Sequence, residues 1–303
     1  MTFSTYDPAK PVRVRINSPL SYYPKRSIAI PGSRLIVCED LIVSAVQVAP
    51  AEAHGFADEH FSELEFLALE EMRFFAAITL AVHPDDGMAY AYPLVGHVDV
   101  PCGLDDDALL EVARQHLARI PKDGWFSPLL PRAAGGPAYK VRESSVDVAQ
   151  VLRVVRDTPL NDHLLMRGLG ALLRAHMCWR HQEIAETAAI QLYIALDVSF
   201  EIVLEILRGR GLANPSALDA GALIDEVFNP GIESGRYFGD YYEDRIKTLH
   251  PSSRYGVFPV PPLQADDYYF LRHGLVEVYH WLITGRRLEP EPVLRRHESD
   301  PVP

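Results

Sequence analysis

The chain has 303 residues, 48% of them hydrophobic and 23% charged, a composition typical of an ordinary soluble globular protein with one large domain or two smaller ones. Its net charge of −12 argues against broad, sequence-independent affinity for nucleic acid, because phosphates attract a basic surface, although it leaves room for a local basic pocket that binds RNA. The first residues do not form a secretory signal and no apolar run approaches the roughly 18 residues of a membrane span, so we expect a cytoplasmic protein without membrane partners.

Residues 1–122 are predicted to form a small α+β domain. The predicted elements, in chain order, are strands at 12–16 and 33–48, a helix over 60–78 whose second half could instead turn into a strand, a hairpin over 78–100 and a helix over 105–120. Alternating and β-branched residues indicate the strands, with a break at Glu39-Asp40, and apolar residues at helical spacing indicate the helices. The sequence PDDG between two apolar arms is typical of a hairpin turn.

Residues 160–285 are predicted to form an all-α domain, joined to the first by a linker over 123–159 that contains one short helix. The predicted helices are 146–157 in the linker and 161–180, 181–211, 214–228, 235–249 and 265–285 in the helical domain. Asn161 and Asp162 are typical of a helix start, and Gly209 and Gly211 of a helix end. Residues 286–303 form a polar tail that contains proline, and we predict that it is disordered.

One short stretch, YYEDRIKTLHPSSRYG at 241–256, places an arginine and a histidine at the end of a predicted helix with four residues between them. The spacing alone is a weak signal, because Arg156–His163 and Arg174–His181 are similar pairs with six residues between them. Arg245 and His250 differ from those pairs in context, since they end a tyrosine-rich helix and precede a last amphipathic helix.

This order of elements resembles HEPN domains, whose hallmark is an arginine, four to six residues and then a histidine at the end of a helix before the last one. The resemblance covers residues 160–285 and implies a helical bundle of the kind found in prokaryotic defence and toxin proteins. In that family, two Arg–His pairs meet across a dimer interface and cleave RNA without a metal. The resemblance therefore implies a homodimer, an RNA substrate and a regulatory protein or antitoxin as partner.

Carried over to this sequence, the resemblance makes His250 the acid/base that moves the proton of the ribose 2′-OH, and Arg245 the cation that stabilises the phosphorane. A histidine titrates near neutrality, and a guanidinium offers paired hydrogen bonds to phosphate oxygens. Lys247 and Arg254 would add phosphate contacts, and Tyr242 would stack a base of single-stranded RNA.

The same residues also have an interpretation without catalysis. Arg245, Lys247 and His250 in a last turn complement the helix dipole, and Pro251 ends the helix. Five tyrosines of this region suit core or interface packing better than base stacking: Tyr237, Tyr241, Tyr242, Tyr268 and Tyr269.

Four further residues are candidates for the same cleft. Glu183 and Glu186 are acidic residues on a neighbouring predicted helix, but they fit solvated helix surface better. Arg272 and His273 lie on the last predicted helix, and we expect both to be exposed.

Sequence motifs for cofactors and metals are missing. No Walker loop, GxGxxG, HExxH or GxSxG sequence occurs. The three cysteines are widely spaced and form no CxxC pair, which indicates neither a disulfide framework nor a zinc site. We therefore expect neither a cofactor nor a metal.

Two hypotheses follow for the helical part. In the first, it is a metal-independent endoribonuclease that acts through Arg245 and His250. In the second, it is a non-catalytic module for dimerisation and RNA or nucleotide binding, with a regulatory N-terminal domain. Ile246 favours the second, because catalytic HEPN members usually carry a polar residue directly after the arginine.

Overall fold

The computed structural model describes residues 10–18, 22–49, 67–82, 89–94, 96–119, 142–179, 184–228, 237–250, 252–257 and 265–288. Three predicted features lie outside these residues: the PDDG turn, most of the linker (123–141) and the tail from residue 289 onward.

The N-terminal part is built on an antiparallel sheet. Its strands are β1 (Val12–Ile16), β3 (Ile28–Ile30), β4 (Ser33–Val37), β5 (Ile42–Gln47) and β6 (Val98–Val100), and a separate short strand, β2 (Tyr22–Pro24), precedes β3. The order across the sheet is β3-β4-β5-β1-β6. The strands predicted at 12–16 and 33–48 are confirmed. The break at Glu39-Asp40 is a turn in which the Cys38 amide donates to the Leu41 carbonyl oxygen over 3.0 Å.

Both faces of this sheet are covered by a helix, α1 (Leu69–Leu80) on one side and α2 (Asp106–Arg119) on the other. Successive residues of a strand point to opposite faces. In β5, Ile42 and Val46 therefore join the core that includes α1, while Val43 and Ala45 join a second core that includes α2. The predicted α+β organisation of the N-terminal part is confirmed.

The hairpin predicted over 78–100 is wrong. Its first arm belongs to α1, which continues to Leu80, and Ile78 and Leu80 are fully buried. Its second arm, β6, pairs with β1 instead. The apolar run is buried almost all round, and such a run has no periodicity that separates a strand from a buried helix.

The C-terminal part is mostly helical, as predicted. Its elements are β7 (Arg142–Ser144), α3 (Val148–Asp157), α4 (His163–Trp179), α5 (Ala185–Gly209), α6 (Ala217–Phe228), α7 (Tyr237–Asp240), α8 (Tyr242–Leu249), β8 (Ser252–Ser253), β9 (Gly256–Val257) and α9 (Ala265–Thr284). The Leu165 amide donates to the Asp162 carboxylate, so the predicted cap of α4 is confirmed. The single helix predicted over 235–249 is divided at Tyr241 into α7 and α8.

One hydrophobic core connects the two parts of the chain. Phe74 and Phe75 of α1 are fully buried in the same cluster as Leu169 of α4, Leu192 of α5 and Leu275 of α9. The boundary predicted between an N-terminal and a C-terminal domain therefore crosses a continuous core. In the part of the chain that the structure describes, no helix combines the length and the apolar character needed to cross a membrane.

Candidate functional site

The Arg–His pair lies at the C-terminal end of α8, which packs against the long helix α5. Acidic residues begin α8 and Lys247 lies in its last turn, the charge order that stabilises a helix dipole. The His250 amide donates to the Ile246 carbonyl oxygen over 2.8 Å, while the backbone of His250 itself leaves the helix (φ −130°, ψ 83°). The side chain of His250 is exposed at this helix end.

Arg245 is held from two sides. Its Nε lies 3.2 Å from Oδ2 of Asp197 on α5, close enough for an ion pair but not aligned as a hydrogen bond. Its guanidinium also lies 5.8 Å from the centroid of the Tyr242 ring. The side chains of Arg245 and Asp197 remain 31% and 45% exposed, so solvent and ligands can reach the pair.

Cations and aromatic rings alternate along the surface that continues from Arg245. The guanidinium of Arg254 lies 5.6 Å from the Tyr242 ring centroid and 4.9 Å from that of Tyr255, and Lys247 Nζ lies 5.4 Å from the same Tyr255 ring. All these distances are within the range of cation–π attraction. We call this set the cation–aromatic ladder: Arg245, Tyr242, Arg254, Tyr255 and Lys247.

The ladder offers both charge and flat apolar surface to solvent. Tyr242 and Tyr255 are 45% and 36% exposed, and Arg254 is exposed between them. A hydrogen bond of 2.8 Å from Arg254 to the Tyr255 hydroxyl fixes their relative position and raises the pKa of the guanidinium. Exposed tyrosines beside cations are a surface on which unstacked bases and phosphates bind together.

The cations of the ladder are partly compensated by acidic neighbours. Lys247 Nζ lies 2.5 Å from Glu243 and 3.7 Å from Asp244, and the bond to Glu243 raises the pKa of the ammonium. Burial raises the pKa of Asp197, as does Glu201 one turn further along α5, whereas Arg245 lowers it. Arg245 is therefore the group that favours the charged form of Asp197.

Four of the five residues predicted for this site are members of the ladder: Arg245, Lys247, Arg254 and Tyr242. Sequence reasoning missed Asp197 and Tyr255. Asp197 is a single carboxylate within the mostly apolar run YIALDVSF. A carboxylate in such a run indicates a charged partner, because a buried charge is usually paired. Tyr255 directly follows Arg254, so its place beside a predicted phosphate contact was visible in the sequence.

The tyrosines of this region divide into two groups. Tyr268 is fully buried, and Tyr237 and Tyr241 are partly buried against the main core, which confirms packing for these three. Tyr242 and Tyr269 are exposed. Core packing therefore does not account for the position of Tyr242.

Among the remaining candidates, Glu186 is exposed in the first turn of α5, and Glu183 lies outside the described residues. His273 is exposed as predicted, but the same prediction for Arg272 is wrong. Arg272 is buried and its Nε donates to Nε2 of His176 over 2.8 Å.

Arg272 is buried because of its position on α9, although arginine is usually exposed. It falls on the inner stripe of α9, at helical spacing from three buried residues: Tyr268, Leu275 and Tyr279. Burial lowers the pKa of its guanidinium.

No cluster of three or more histidine, cysteine, aspartate or glutamate residues suited to a metal ion occurs among the residues described. The three cysteines are free thiols.

No family model, curated protein or solved structure matches the chain.

Proposed function

We propose that the cation–aromatic ladder binds single-stranded RNA and that Arg245 and His250 cleave it without a metal, in the manner of a HEPN-like endoribonuclease. The observation that carries the proposal is the ladder itself, in which cations alternate with exposed tyrosine rings on α8 and the β8–β9 ribbon, while His250 is exposed at the end of α8. Rings stack on bases that are not already stacked in a duplex, which favours a single-stranded substrate.

The proposed reaction uses only side-chain chemistry. His250 accepts the proton of the ribose 2′-OH while the 2′-oxygen bonds to the adjacent phosphorus. The bond from phosphorus to the 5′-oxygen breaks, a protonated imidazole donates its proton to that leaving oxygen, and the products are a 2′,3′-cyclic phosphate and a 5′-hydroxyl. Arg245 stabilises the charge that develops on the phosphate. Lys247 and Arg254 hold neighbouring phosphates, and Tyr242 holds a base.

The proposal includes partners implied by the HEPN resemblance. Each chain carries one Arg–His pair, and a homodimer would bring two such pairs to one cleft. A regulatory protein or antitoxin would then control the activity.

The test is cleavage of a mixed pool of single-stranded RNA in the presence of EDTA. We expect the wild-type chain to cleave and His250→Ala to lose roughly 100-fold or more of the rate, the usual contribution of an acid/base group. His273→Ala is the matched control, because it removes an exposed histidine from α9. Thermal unfolding of all three proteins must agree, and equal rates for wild type and His250→Ala would refute the proposal.

The Arg245–Asp197 ion pair favours a second candidate function, a non-catalytic module that binds RNA and dimerises. An arginine already paired with a carboxylate has less charge available for a phosphate in a transition state. Ile246, which follows the arginine, agrees with this alternative. RNA binding that Arg254→Gln weakens, without cleavage by any of the proteins, would establish it.

A further inference from the structure

Asp197 opposes RNA binding at Arg245, the cation proposed to stabilise the phosphorane. It lies on α5, whereas the members of the ladder lie on α8 and in the β8–β9 ribbon. Its carboxylate contacts Arg245 at 3.2 Å, and both side chains are partly open to solvent. The pair thus places a fixed negative charge beside the group that would bind a phosphate.

We propose that Asp197 is a positioning residue that acts as an internal competitor, occupying Arg245 until an RNA phosphate displaces it. This inference rests on the proposed function, because it assumes that Arg245 binds phosphate. In the free protein, Asp197 holds the guanidinium at the ladder and neutralises it. In the complex, a phosphate takes the place of the carboxylate.

Chemical equivalence makes the exchange feasible. Carboxylate and phosphate oxygens both bind a guanidinium through charge-assisted hydrogen bonds in the plane of the group. The present contact is a poor version of that arrangement, since the Nε–H of Arg245 is not aligned with an acceptor among the described residues. Partly exposed ion pairs of this kind are also weak. A well-aligned phosphate therefore replaces the carboxylate at little cost.

The charges around Asp197 also favour its pairing with Arg245. Glu201 repels its charged form, and burial disfavours it, so that Arg245 is its stabilising neighbour. Asp197 is consequently tied to Arg245 rather than to another partner on α5. Removing the carboxylate charge should release Arg245 for RNA, whereas removing the Glu201 charge should not.

The experiment measures binding of a fluorescein-labelled 12-nucleotide oligouridylate to the full chain by fluorescence anisotropy. All proteins carry His250→Ala and EDTA is present, so that no cleavage occurs. Asp197→Asn is compared with Glu201→Gln, which removes the same charge from the same helix one turn away. Asparagine keeps the size of Asp197 and an oxygen that can accept a hydrogen bond. Thermal unfolding verifies that each variant is folded.

We expect Asp197→Asn to tighten binding roughly fivefold at low salt, and Glu201→Gln to change it less than about twofold, because a nearby charge is screened less than a distant one.

A purely structural role of Asp197 would not change the salt dependence of RNA binding. Release of Arg245 should steepen the slope of log K against log salt concentration by about 0.7, the value for one more phosphate contact in single-stranded RNA.

The double variant Asp197→Asn/Arg245→Gln tests whether Asp197 acts through Arg245. We expect the double variant to lack the gain in affinity that Asp197→Asn shows over the parent protein. Equal affinities of Asp197→Asn and Glu201→Gln, or a gain that persists without Arg245, would overturn the inference. RNA binding by the parent protein would in that case still support the ladder as an RNA-binding surface. If neither the parent protein nor Asp197→Asn binds the RNA, both proposals fail together.

Discussion

Arg15 and Glu71 form a salt bridge that is almost completely withdrawn from water, with side chains 3% and 1% exposed. Arg15 on β1 donates from Nε and Nη2 to the two carboxylate oxygens, over 2.6 and 3.1 Å. The same carboxylate accepts a bond from the Ala68 amide at the start of α1. The Glu71 side chain thus links Arg15, on an inner strand of the sheet, to the backbone at the start of α1.

Glu71→Gln should destabilise the protein by about 3–5 kcal/mol, because it leaves the buried charge of Arg15 without a counter-ion. Urea unfolding gives the change in the free energy of unfolding. Arg13 on the same strand pairs with Asp99 over 3.0 Å, but those side chains are 22% and 39% exposed. Asp99→Asn is therefore the control, and it should cost about 1 kcal/mol or less. Equal costs for the two variants would contradict the argument from burial.

At the scale of elements, α4, α5 and α9 meet at a glycine. The Tyr279 hydroxyl of α9 donates to the Ala195 carbonyl oxygen of α5 over 2.7 Å, directly beside Gly168 of α4. A Cβ at position 168 would lie 2.0 Å from the Tyr279 oxygen and 2.7 Å from Val198 Cγ1. The three helices can pack this closely only because residue 168 has no side chain.

Gly168→Ala should destabilise the protein by about 2–4 kcal/mol, because the helices must separate and the hydrogen bond of Tyr279 is strained or lost. Gly209→Ala at the end of α5 is the matched control, since a Cβ there meets nothing within 4 Å. It should be neutral or stabilise by up to about 1 kcal/mol. Thermal unfolding of both variants measures the difference, and a neutral Gly168→Ala would show that the contact relaxes freely.

The sequence predicts elements well where polar residues mark their boundaries. The turn at Glu39-Asp40 and the cap at Asp162 are examples, since these polar residues interrupt or precede apolar patterns. It fails where burial removes the pattern, as at residues 78–80, which end α1 but were predicted as the start of a hairpin. The prediction for Arg272 fails for a related reason. Its charge indicated exposure to solvent, whereas its position in the helical period places it on the buried face of α9.

At the scale of the whole molecule, the shared core predicts one cooperative unit despite the change from mixed α/β to helical sequence. Trp179 and Trp281 report on α4 and α9, and Cys38 is partly buried against the core between the sheet and α2. In urea, the midpoint of tryptophan fluorescence should coincide with that of pulsed thiol labelling at Cys38, as two-state unfolding requires. Exposure of Cys38 at a clearly lower urea concentration would instead indicate that the sheet unfolds independently.

Only part of the candidate site could be predicted, because the rest depends on tertiary structure. Arg245, Lys247 and Arg254 belong to one short stretch, so their proximity follows from local sequence. Asp197 lies 48 positions before Arg245 and reaches it only because α8 packs on α5. No spacing rule connects two such residues, and without related sequences the pairing cannot be recognised in advance.

The parallel pairing of β2 with β7 joins Tyr22 to Arg142, which is 120 positions further along the chain. Contacts between such distant segments form slowly, because a long loop must close first. During synthesis, the pairing of β2 with β7 waits until residue 144 has been made, and α1 completes its contacts with α3, α4 and α9 only as each of those helices is made. The core that buries Phe74 and Phe75 is therefore incomplete in a nascent chain until α9 ends at Thr284, and a chaperone that binds the chain before then would protect it from aggregation.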